Sequence, residues 1–158
     1  MMKGKSIRRL FYYVFITGLS VHFSAAMGAE DCPFTKIYPS LDKAYHECNN
    51  GYLNGSCESF VKNLAILLPN YNCHRGADHS YTIPAIWLAG AAAEDFYDML
   101  YALASTKKMY ADRGYKSARE AAKKLFLSNE FRAVLDGDVA EDFMPRIKAM
   151  EKVKTKDQ

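Results

Sequence analysis

Residues 82–110, TIPAIWLAGAAAEDFYDMLYALASTKKMY, decide the fold class. Ile86, Trp87, Gly90, Phe96, Tyr97, Leu100, Tyr101 and Ala104 recur at helical spacing, so one stripe is expected to be buried. Thr82 can cap such a helix, and Pro84 falls in its first turn, where a missing N–H costs nothing. The small residues Ala89 to Ala93 would let a second helix approach closely. The pattern predicts a central helix from Pro84 to about Tyr110, ended near Gly114.

Helical signals continue on both sides. Ser40 can cap a short helix over Leu41–Cys48, closed by Asn49-Asn50-Gly51. Phe60, Leu64, Ile66, Leu67 and Leu68 give a second helix over Cys57–Leu68, stopped by Pro69. Downstream, Ser117 and Glu120 form a capping box, S-A-R-E, ahead of Ala121, Leu125 and Phe126. Ser128 restarts the helix through Phe131, Val134 and Leu135 until the Asp136-Gly137 turn. Asp138 and Glu141 repeat the box for a last helix carrying Phe143, Ile147 and Met150, with Pro145 as a kink. No stretch alternates convincingly at period two. The expected fold is all-α, a small bundle of about five helices.

The chain has 158 residues, 49% of them hydrophobic and 25% charged, which suits one globular domain rather than a disordered or fibrous chain. Residues 1–26 hold Lys3, Lys5, Arg8 and Arg9, four of the 21 basic residues and none of the 18 acidic ones. The remainder carries 17 basic against 18 acidic, so its overall field does not drive it onto nucleic acid or anionic lipid. The same 26 residues read as a secretory signal: a basic start, the apolar run LFYYVFITGLSVHF over 10–23, then Ser24, Ala25 and Ala26 for cleavage after Ala26, or as late as Ala29. The apolar run is shorter than the roughly 20 residues a spanning helix needs. The domain plan is a cleaved signal over 1–26, a single helical domain over 30–151 and a frayed basic tail over 152–158. A periplasmic or secreted location is expected, with no membrane segment after cleavage.

All four cysteines, Cys32, Cys48, Cys57 and Cys73, follow that signal, and an even count in an exported segment reads as two disulfides. No C-x-x-C pair argues for zinc or thiol redox chemistry. Three connectivities are open. If the first two helices form an antiparallel hairpin, Cys48 and Cys57 meet at one end, and Cys32 and Cys73 at the other. That nested pairing satisfies the Cα separation a disulfide demands, and closing the longer loop contributes about 3–4 kcal/mol under the chain-entropy model.

The most function-like stretch is residues 69–84, PNYNCHRGADHSYTIP, a long polar connection tied at Cys73 and expected to lack regular structure. Tyr71, His74, Arg75, Asp78, His79 and Tyr81 are the candidate contacts for a protein partner. His74, Asp78 and His79 also admit a second reading, a small exported metal-binding protein or hydrolase. Glu94 and Asp98 share a helix face, which can serve glycoside cleavage, but the buried stripe beside them puts these acids at a solvated border. The basic run from Lys107 to Lys124 reads as a solvated face, with docking of an acidic partner as its functional alternative. His46 reads as a structural histidine, and Asn54-Gly55-Ser56 matches a glycosylation sequon. The motifs of covalent haem, zinc proteases, serine hydrolases and phosphate loops are absent from the sequence. No catalytic residue, cofactor or resident metal is assigned.

The N-terminal signal at 1–26, the four exported cysteines and the loop around His74–Ser80 together resemble the small periplasmic immunity proteins that protect bacteria from type VI secretion amidases. The resemblance implies a helical, non-catalytic inhibitor that inserts a loop into the cleft of a secreted peptidoglycan hydrolase. A periplasmic chaperone is a further alternative, suggested by the aromatic content. Whatever the partner, reduction of both bridges should lower the melting temperature by more than a few degrees. An unaltered melting curve after complete reduction would contradict structural disulfides.

Overall fold

A computed structural model describes residues 32–51, 55–76, 78, 80–105 and 113–154. Residues 1–31, with the expected signal, Asn54 of the sequon match, His79, Lys107, Lys108 and residues 155–158 lie outside the described residues. Six α-helices carry the described chain: α1 Pro33–Asn49, α2 Ser56–Leu67, α3 Ala92–Ser105, α4 Arg113–Phe126, α5 Asn129–Ala133 and α6 Gly137–Lys154. Between α2 and α3 stand a two-stranded antiparallel hairpin, β1 Cys73–Arg75 and β2 Tyr81–Ile83, and a 3-10 helix over Ala85–Ala89. The fold is helical, as the periodicity of the sequence indicates.

Helix α1 starts seven residues before the expected Ser40 cap. Pro33 occupies its first turn, where a fixed φ near −65° favours the helix, and the Thr35 hydroxyl donates to the Cys32 carbonyl at 3.0 Å. Pro39 lies inside the helix and forgoes the bond its N–H would make one turn back. Leu41, Ala44 and Cys48 form the buried stripe, three and four residues apart. On α2 the stripe is Cys57, Phe60, Val61, Leu64 and Leu67, and the two helices pack as a hairpin. Disulfides close both ends in the nested pairing: Cys48–Cys57 with Cα atoms 4.7 Å apart, and Cys32–Cys73 with Cα atoms 4.6 Å apart.

The third element departs from expectation at its start. A continuous helix from Pro84 would have buried Trp87 and Gly90 with Phe96. Instead residues 81–83 pair as a strand, Pro84 is extended at ψ 134°, and the following turn is 3-10. Gly90 then takes φ 58° and ψ −132°, a backbone region that side chains avoid and glycine tolerates, and α3 begins afresh at Ala92. The break puts Trp87 out of phase with the buried stripe, and it is 40% exposed. Ile86, Phe96, Tyr97, Leu100 and Ala104 are buried as expected. Helix α4 likewise starts at Arg113, so Ser117 and Glu120 lie inside it rather than at its cap. Ser128 does cap α5, its Oγ accepting from the Phe131 N–H at 3.2 Å.

Two aromatic groups fill the core on two faces of α3. Phe96 meets Tyr45 edge to face at 5.2 Å, with Phe60 and Tyr38 each 6.1 Å away. The next residue, Tyr97, meets Phe131 at 5.1 Å and Phe143 at 5.8 Å, both edge to face. Successive helical residues point about 100° apart, so α3 contacts both aromatic groups, while α4 packs directly on α2 and joins the disulfide-braced hairpin to the C-terminal helices. A Phe96→Ala change should cost about 3–5 kcal/mol, because the ring is 1% exposed and touches three aromatic partners. Denaturant unfolding would measure it; a loss below 1 kcal/mol, on the order of a surface substitution, would contradict this packing.

Candidate functional site

The polar connection folds into the small hairpin. Its register pairs Cys73 with Ile83, His74 with Thr82, and Arg75 with Tyr81. Strands of three residues are too short to show alternation in a sequence, which is why this stretch reads there as irregular. The root is fixed and the tip is not covered. Cys73 is 1% exposed and bound to Cys32, Ile83 is buried, and the Asn70 carbonyl accepts the Ala85 N–H at 2.6 Å across the base. At the tip Gly76 adopts φ 91°, and the Asp78 carboxylate accepts the Ser80 N–H at 3.1 Å. A Cβ on Gly76 would meet the Ser80 hydroxyl at 2.7 Å and Asp78 Oδ1 at 3.0 Å, so this turn requires glycine.

Of the six residues expected to touch a partner, Tyr71 is 42% and Tyr81 53% exposed, and His74, Arg75 and Asp78 are exposed as well. Arg75 and Tyr81 are cross-strand neighbours on one face, and His74 lies on the other, because side chains alternate along a strand. His79 lies outside the described residues. Among the described residues, no group of three His, Cys, Asp or Glu side chains could hold a metal ion.

The acids of α3 divide. Asp98 is exposed and accepts from Arg146 at 2.7 Å, and Asp142 accepts from the same guanidinium at 2.6 Å. Arg146 also lies over the rings of Phe143 at 4.7 Å and Tyr101 at 5.1 Å. These bonds and charges hold its pKa above the ordinary value despite desolvation by burial, which opposes them. Glu94 instead lines a surface notch of about 240 Å³ with Trp87, Tyr97, Val134, Asp136 and Val139. The Trp87 indole N–H donates to the Val134 carbonyl at 3.4 Å, which fixes the ring over α5. Sequence reasoning missed this notch because it assigned Trp87 to the buried stripe. The signal available there was Pro84 followed by Gly90, which together allow the helix to break between them.

Tyr97 forms the floor of the notch and is 2% exposed. Burial, with the nearby Asp136 carboxylate as a second cause, pushes its phenol well above the ordinary value of 10.0. The unfolded chain ionises this group near pH 10 while the folded chain keeps it neutral. Its contribution to stability is therefore complete below that pH and is lost as pH rises above it. A Tyr97→Phe variant should lose stability less steeply than the parent chain above pH 10, followed by chemical unfolding at stepped pH. Identical slopes for the two proteins would argue against a buried neutral phenol.

No family model matches this chain, and neither a curated protein nor a solved structure matches it significantly.

Proposed function

We propose that the chain is an exported, non-catalytic binding protein that inhibits its partner by surface fit, with the hairpin around Cys73–Ile83 as the contact element. The observation that carries this reading is a hairpin anchored by a disulfide at its root that exposes Arg75 and Tyr81 beyond it, with Tyr71 exposed just ahead of the root. Tyrosine and arginine are the residue types that most often dominate binding energy at protein interfaces. A pre-ordered loop also loses little conformational freedom on docking. Two disulfides belong to an oxidising environment, and the basic-apolar-small N-terminus supports export to the periplasm.

Within that reading, the partner is a secreted cell-wall hydrolase, and the chain is an immunity protein of the kind that its plan resembles. The hairpin enters the cleft of the enzyme and blocks substrate entry. Tagged oxidised protein should retain one partner from a periplasmic extract, and that partner should hydrolyse purified peptidoglycan until the chain is added. Replacing residues 74–80 by Gly and Ser should reduce capture and inhibition together, while the melting temperature and both disulfides are kept. Undiminished capture by the replaced hairpin would remove it as the contact surface, and a captured partner without wall-cleaving activity would remove the immunity assignment.

A further inference from the structure

We infer that the Trp87 notch is a receptor for one arginine side chain presented by the protein partner; the partner's part in this rests on the binding function proposed above. At about 240 Å³ the notch is smaller than the roughly 300–1,000 Å³ of sites that enclose whole small molecules. Its scale is that of a single side chain. Two of its walls carry the carboxylates Glu94 and Asp136, and neither is in an ion pair with a described residue. Glu94 stands in the first turn of α3 and Asp136 just before α6, so two separate elements bring negative charge to one opening.

The remaining walls suit a flat cation with an apolar stem. Trp87 is 40% exposed and held by its indole N–H, and tryptophan presents the most favourable aromatic face to a cation. Val134 and Val139 offer apolar surface to methylene groups. Arginine fits better than lysine because its planar guanidinium stacks on a ring while its fork of N–H groups reaches carboxylates. The same fold already holds a guanidinium in this way. Arg146 lies over Phe143 and Tyr101 and bonds to Asp98 and Asp142. The Trp87 notch repeats that combination of rings and carboxylates without a cation of its own among the described residues.

Trp87 is the only tryptophan in the chain, so its fluorescence reports on the notch directly. Titration with N-acetyl-arginine methylamide should give a saturable change. The neutral isostere, N-acetyl-citrulline methylamide, should bind about tenfold more weakly, the loss expected for one charge-assisted contact. Glu94→Gln combined with Asp136→Asn should weaken arginine binding similarly, leave citrulline binding unchanged and lower the melting temperature by no more than a few degrees, the loss of helix-dipole stabilisation at Glu94. The same double variant should reduce capture of the partner from the extract. Equal binding of the two compounds, a change that does not saturate, or unchanged capture by the double variant would each overturn the inference. These outcomes are separable from failure of the hairpin, because the titration needs no partner and leaves residues 74–80 intact.

Discussion

The buried Cys73 sulfur is bonded to Cys32, and this link sets the relation between the bundle and its exposed hairpin. It joins the residue that precedes α1 to the first residue of β1, 41 positions later. In the chain-entropy model a loop of that length removes about 4 kcal/mol of freedom from the unfolded state, against about 2.5 kcal/mol for the nine-residue Cys48–Cys57 separation. The longer bridge thus contributes more to holding the fold, and it also does what packing could not. A hairpin of two three-residue strands is too small to be stable alone. Tied to the start of α1 and closed at its base by the Asn70–Ala85 bond, it stands as a fixed projection.

Helix α3 distributes that rigidity. Phe96 and Tyr97 are adjacent in sequence and face different aromatic groups, so the helix is a shared wall of both halves of the core. One half is the disulfide-closed α1–α2 hairpin; the other, α4 to α6, has no cysteine and is held by Phe126, Phe131 and Phe143. At the surface that second half carries the pairings Arg146–Asp98 and Arg132–Glu151. Exposed pairs of this kind contribute little each, so aromatic burial carries the stability there. Rings fill both halves, the bridges brace one of them, and α3 together with the direct packing of α4 on α2 couples the two.

Long, strongly periodic segments were legible in the sequence. The cap and stop signals of α1, the apolar stripe of α2 and the spacing of four cysteines were enough to indicate a helical hairpin and its nested bridges. What was not legible depended on single backbone conformations. Nothing in the Thr82-Ile83-Pro84 stretch announces that a three-residue strand outcompetes a helix cap, because its partner strand lies six residues upstream. Gly90 within a run of alanines reads as a small packing residue, yet it is the point where the helix breaks. The candidate contacts Tyr71, Arg75 and Tyr81 were visible as residue types in a polar loop, whereas the Trp87 notch came only with the break that turned the ring outward.

That break has a physical consequence for the surface. Had the helix run unbroken from Pro84, Trp87 would have added a large ring to the core and Glu94 would have lain mid-helix on a solvated flank. The 3-10 turn and Gly90 instead leave the ring partly in solvent, and α3 starts at Ala92. Glu94 is thereby in a first turn, where the helix dipole stabilises a carboxylate by about 0.3–1 kcal/mol. An exposed tryptophan beside carboxylates that no described residue pairs with is costly to keep for stability alone, since burying the ring would stabilise the core more. The arrangement makes sense as recognition: the fold forgoes apolar burial at one position, and the exposed ring and charges remain available to a cation from outside the chain.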